Sequence, residues 1–156
     1  MQTSTTSSTD QSARINNLIA VALAASVVVY MVVAWVVAPT MATPGGDAEH
    51  IRVMAAILAV VSLGNLVAAQ MLFAIRVRAA AKLPKPEQRL DAYRIAFILS
   101  FALREAVAIF GLVFSFLSGD ARWCLGFGTV ALVSMLLGWP KRSAMLRLGS
   151  DVPPIG

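Results

Sequence analysis

Apolar residues in this chain come in long runs, without strict alternation and without a polar stripe. A polar opening, MQTSTTSSTDQSAR, gives way at about position 17 to an apolar run that lasts to about position 37. Three more runs follow, at about 50–77, 89–117 and 121–138. Each is close to or above the ~20 residues an α-helix needs to cross a bilayer core. A helix that is apolar all round is one that does not face water. The pattern predicts an all-α fold: an integral membrane four-helix bundle made of two transmembrane hairpins. Strand alternation, a Gly-rich phosphate loop and an internal repeat are all missing from the sequence.

The breaks between runs are explicit. The first run ends in a Pro/Gly loop, Pro39 to Glu49, in which Asp47 is placed to cap the second helix. A basic connection, RVRAAAKLPKPEQRLDAYR, carries prolines at 84 and 86 and separates the second and third helices. Ser118-Gly119-Asp120 makes a tight turn, and Trp139-Pro140-Lys141-Arg142 stops the fourth helix. Residues 1–14 hold too few apolar side chains to bury and are expected to be a disordered tail. Residues 15–142 form the membrane domain, and 143–156 a cytoplasmic tail. The first run is longer than the ~7–15 residues of a signal-peptide core, so it is expected to remain as a helix.

Composition strengthens this reading. Of 156 residues, 58% are hydrophobic and only 13% charged, which is too little polar surface for a water-soluble domain of this size. The single cysteine, Cys124, and the single histidine, His50, leave no internal disulfide and no metal-ligand pair, and no cofactor is expected. The net charge of +5 is set beside the apolar runs, which suits anionic lipid headgroups better than nucleic acid. Arg76, Arg78, Lys82, Lys85 and Arg89 are the expected headgroup contacts. Ten of the thirteen Lys/Arg residues fall on one side of a four-span topology and only Arg52 and Arg122 on the other. The positive-inside rule then puts both termini and the basic connection in the cytoplasm, with the chain a multi-pass protein of the inner (plasma) membrane. Tyr30, Trp35, Tyr93, Trp123 and Trp139 mostly fall near run ends, where aromatic rings suit the headgroup boundary.

One position departs from the apolar pattern. Arg104 and Glu105 stand side by side inside the third run. A charge at that depth costs a few kcal/mol by insertion scales. Arg104 lies eleven residues in from Tyr93, and Asn65 lies eleven residues in from Arg76 on the second run. The three are expected at one depth on neighbouring antiparallel helices, with Ser26 of the first run at the same level. Adjacent residues point about 100° apart on a helix, so Arg104 and Glu105 are expected to face different neighbours. The chemistry open to such a cluster is a polar clamp between helices, a proton- or ion-binding site, or a contact with another protein.

The segment from Arg104-Glu105-Ala106 through Ile109-Phe110-Gly111-Leu112-Val113 to Leu117 resembles the carboxylate-bearing helix of the rotary ATP synthase c subunit. The basic, proline-containing Lys82–Glu87 is similar to that family's polar loop, and the likeness spans about residues 60–118. It implies a helical hairpin in which Glu105 is the proton- or sodium-binding carboxylate. The chain departs from that family in having only Gly64 where a glycine ladder would run, in Arg104 beside the carboxylate, and in its two further helices. The whole pattern also resembles small uncharacterised bacterial four-helix membrane proteins, a likeness that carries no activity.

The expectation is therefore a small structural or accessory membrane protein, not an enzyme. It would work as a homo-oligomer or beside a partner in a membrane complex. Its alternative is a proton- or ion-linked transport component using Glu105. Small multidrug transporters carry their membrane glutamate in the first helix, which is uncharged here.

Overall fold

A computed structural model of the chain describes residues 3–41 and 48–139. Asp47, Lys141, Arg142, Arg147 and the expected tail 143–156 lie outside the described residues. Among the described residues there are four α-helices: α1 (Thr3–Val37), α2 (Ala48–Ala81), α3 (Pro86–Ser118) and α4 (Arg122–Leu137). No strand occurs among the described residues.

α1 begins at Thr3, so the opening expected as a disordered tail is helical from there. No Pro or Gly interrupts residues 3–37. Ser, Thr and Gln each disfavour a helix by only a few tenths of a kcal/mol relative to Ala. The apolar run supplies the nucleus, and extension then adds one hydrogen bond per residue ordered. Past Val37 the helix tightens into a short 3₁₀ turn, Ala38–Met41.

Side chains close several of the breaks. Lys85 is extended and Pro86 opens α3, where its missing N–H is no loss. Arg89 Nε donates to the Leu83 carbonyl at 2.6 Å, closing the α2–α3 connection. Gly119 ends α3 in the left-handed region, φ 67°, as the tight turn requires. Asp120 then accepts the Arg122 N–H at 2.9 Å. Ser115 Oγ accepts the Cys124 N–H at 2.8 Å, pinning the start of α4 to the end of α3 with both residues fully buried. Ser115→Ala leaves that N–H without a partner and is expected to lower stability by about 1–2 kcal/mol. Thermal unfolding of the purified chain reads this, and a variant as stable as wild type would show that water serves the N–H instead.

α3 is the hub. It packs against α1, α2 and α4, while α1 and α4 also touch each other. The expectation of two hairpins needs correction, because α1 and α2 do not pack along each other. The reason lies in the buried positions. On α3, residues 93, 97, 100, 104, 107, 111 and 114 follow a 4-3-4-3 spacing, and 101, 108 and 115 make a second buried row. Two rows let one helix be covered on several sides. α1 buries Ala20, Val27 and Ala34, seven apart, and α2 buries Ala55, Ser62 and Ala69, also seven apart. Each of these helices has one narrow seam, which for α1 is covered by α3 and α4 and for α2 by α3, so neither keeps a buried face for the other. The core gathers Ala20 and Val27 of α1, Phe97, Phe101, Val107 and Ala108 of α3, and Ala131 and Met135 of α4.

Among the described residues three helical stretches, Ala13–Met41, Glu49–Ala81 and Pro86–Ser118, are long and apolar enough to cross a membrane. α4, with 16 residues, extends about 24 Å, short of the ~30 Å of a bilayer core. α2 is peripheral, with only 11% of its apolar window covered by the rest of the protein.

Candidate functional site

Arg104 and Glu105 point apart, as the 100° step between helix neighbours demands. No ion pair joins them, and α3 hands one side chain to each of two neighbourhoods.

Glu105 faces α1. Tyr30 donates its hydroxyl to Glu105 Oε1 at 2.9 Å, and Ser26 Oγ lies at 2.5 Å from the same oxygen. Ser26 and Tyr30 are four residues apart and so share one face of α1. Ser26 Oγ also lies 2.7 Å from the Leu23 carbonyl. A serine hydroxyl carries one proton, so it serves one of these two acceptors at a time.

Arg104 faces α2 and the end of α4. It is 2% exposed, and its Nε has no hydrogen-bond partner among the described residues. The guanidinium lies over the Phe101 ring, 5.3 Å from its centroid. It also lies against Gly138, where a Cβ would collide with it. From the Gly119 turn α4 runs back along α3, so its last turn arrives beside Arg104. Residues Gln70, Phe73, Tyr93, Ser100 and Trp139 join Arg104 around a cavity of about 280 Å³. Ser100 is 2% exposed, and its Oγ also lacks a partner.

Asn65 is half-buried on α2 and makes no hydrogen bond to Arg104 or Glu105 among the described residues. Its part in the expected cluster is taken by Ser26 and Tyr30. Depth counting placed Ser26 at the right level, but it cannot say which helices are neighbours. Tyr30, expected at a headgroup boundary, is instead a ligand of the carboxyl. The i, i+4 spacing of the two hydroxyls was the signal for it. Tyr93 is likewise buried, edge-on to Phe73 at 5.7 Å. Arg76, Arg78, Lys82 and Lys85 are exposed, whereas Arg89 is half-buried and spends its Nε on Leu83. No group of three or more His, Cys, Asp or Glu side chains that could hold a metal ion occurs among the described residues.

Comparison with protein-family models, with curated proteins and with solved structures returns no match.

Proposed function

We propose that this chain is a small accessory protein of the inner membrane in which a buried carboxyl holds the first helix to the third. The observation that carries the reading is Glu105 taking hydroxyls from both Ser26 and Tyr30, from a helix nearly eighty residues away in sequence. Support for the membrane comes from three spans of sufficient length and from an outer surface rich in exposed Val, Ile, Leu and Met on α1 and α2. Such a surface would aggregate in water. α4 serves as the fourth crossing, its shortfall met by local thinning of the bilayer and by Trp139 at its end. Both termini then lie on the cytoplasmic side, by the ten-to-two bias of basic residues. Arg76, Arg78, Lys82 and Lys85 rest against anionic headgroups there. The open face of α2 is where a second copy or a partner helix of a membrane complex would sit.

The test compares two replacements of Glu105. Glu105→Gln keeps the shape and acceptor and is expected to stay within about 0.5 kcal/mol of wild type. Glu105→Ala orphans Tyr30 and is expected to cost about 1–2 kcal/mol, since interhelical hydrogen bonds in membranes average ~0.6 and reach ~1.7. Equal stability of Ala and Gln variants in detergent would end the clamp reading.

The place of Glu105 inside an apolar stretch long enough to cross a membrane, with two hydroxyls against its carboxyl, favours a second reading, in which it is a proton-binding carboxyl of a proton-linked transport component. In that case dicyclohexylcarbodiimide, which reacts with carboxylic acids, labels Glu105 saturably, and labelling fades as pH rises. Glu105→Gln is the control. Absence of labelling at every pH where the protein stays folded leaves the clamp alone.

A further inference from the structure

We propose that the cavity around Arg104, between α2, α3 and the last turn of α4, is an oxyanion-binding site that takes a phosphate group. The inference does not depend on whether Glu105 clamps helices or carries a proton, because Glu105 faces α1 and does not line this cavity.

Three observations meet there. First, a guanidinium stays charged and presents five N–H donors in a planar fork. Arg104 is 2% exposed and has neither a hydrogen bond nor an ion pair among the described residues. Its known neighbours answer only part of that charge. The Phe101 ring covers one face. The C-terminal end of α4, beside Gly138, offers a dipole worth roughly half a negative charge. The remaining half charge and the donors at the edge of the fork have no counterpart among the described residues.

Second, Ser100 sits one turn earlier on α3, on the same face, and its buried hydroxyl is also unpartnered. Both residues line the same cavity. Buried polar groups without partners are rare, and two in one cavity point to a ligand of opposite character. Third, the space suits it. About 280 Å³ is many times the ~10–15 Å³ that one water needs, and the remaining walls are largely aromatic, Phe73, Tyr93, Phe97 and Trp139. A polar floor with apolar walls suits a phosphate that carries an organic group. Exposed Arg76 and Arg78 near the same end of α2 would draw anions toward it.

A phosphate here comes from an anionic lipid headgroup or from solution, and one titration separates the two. The full chain in uncharged detergent is titrated at constant ionic strength with short-chain phosphatidylglycerol, with the matching phosphatidylcholine, and with inorganic phosphate. Trp139 in the cavity wall reports by fluorescence, and the unfolding midpoint reports independently. Phosphatidylglycerol is expected to saturate both signals where phosphatidylcholine does not. Arg104→Gln is expected to weaken binding about tenfold or more, with Ser100→Ala less severe. Arg52→Gln should leave it within about twofold, because that side chain is exposed at the opposite end of α2. Saturation by inorganic phosphate alone, with the same dependence on Arg104, assigns the site to a free phosphate. Arg104→Lys keeps the charge but loses the fork. It serves as the second variant if Gln does not fold, and is expected to weaken binding several-fold. The proposal is overturned if neither anion gives a saturable signal with wild type, as for a merely water-filled cavity. Unchanged binding in a folded Arg104 variant overturns it as well.

Discussion

Gly111→Ala is expected to destabilise the protein by about 1–3 kcal/mol, and Gly111→Leu by more, although either residue is a better helix former than glycine. A Cβ at position 111 would stand 2.6 Å from Phe127 Cβ and 3.1 Å from the Cys124 Cα. The second of these is backbone, which cannot swing aside, so α3 and α4 must part. Gly64 and Gly126 are the controls, because a Cβ at either meets nothing within 4 Å. Alanine at those two positions is expected to stabilise by up to about 1 kcal/mol through helix propensity alone. Gly128 falls between, since its nearest neighbour is the flexible thioether of Met31. Unfolding in a graded detergent or denaturant series orders the four sites. If Gly111→Ala proved as stable as Gly126→Ala, the close approach of α3 and α4 would be wrong. The contact of Gly138 with Arg104, which depends on that approach, would be wrong with it.

Helix number and type were legible in the sequence because hydrophobicity along a run needs no knowledge of neighbours. The expected boundaries at 50, 117, 121 and 138 lie within two residues of those observed. Boundaries governed by turn chemistry were the clearest, such as Gly119 and Pro86. α1 departed most, since composition marks where burial begins, whereas a helix ends only where something breaks it. Neighbour relations were less legible. Sequential helices were expected to pair, but α2 turned away from α1. The seven-residue spacing of Ala20, Val27 and Ala34, and of Ala55, Ser62 and Ala69, carries that information weakly, because the residues between them are apolar as well. The same blindness explains Asn65. Depth along two helices can be counted, but rotation about each axis cannot when no polar face marks it. Arg104 falls in the 4-3-4-3 row that α3 buries, a row the sequence does not single out because the residues around it are apolar as well.

Phe101→Ala is the other large effect expected, about 3–5 kcal/mol of lost stability. Phe101 is fully buried and packs on Phe97 with ring centroids 4.3 Å apart. It belongs to the core shared by α1, α3 and α4, so truncation opens a void where three helices meet. Phe101→Leu keeps most of the volume and is expected to cost about 1.5 kcal/mol or less from packing. To that is added the loss of the ring beneath Arg104, worth about 0.5–2 kcal/mol for a desolvated cation. A double-mutant cycle separates the two parts. In an Arg104→Gln background the packing cost of Phe101→Leu stays and the ring's attraction for the cation disappears, so the substitution becomes cheaper by that amount. An equal cost in both backgrounds would mean that the ring is not holding the guanidinium. The charge of Arg104 would then rest on the end of α4 and on whatever anion the cavity admits, and the cycle repeated with phosphate-bearing ligand present should show the coupling moving to that ligand.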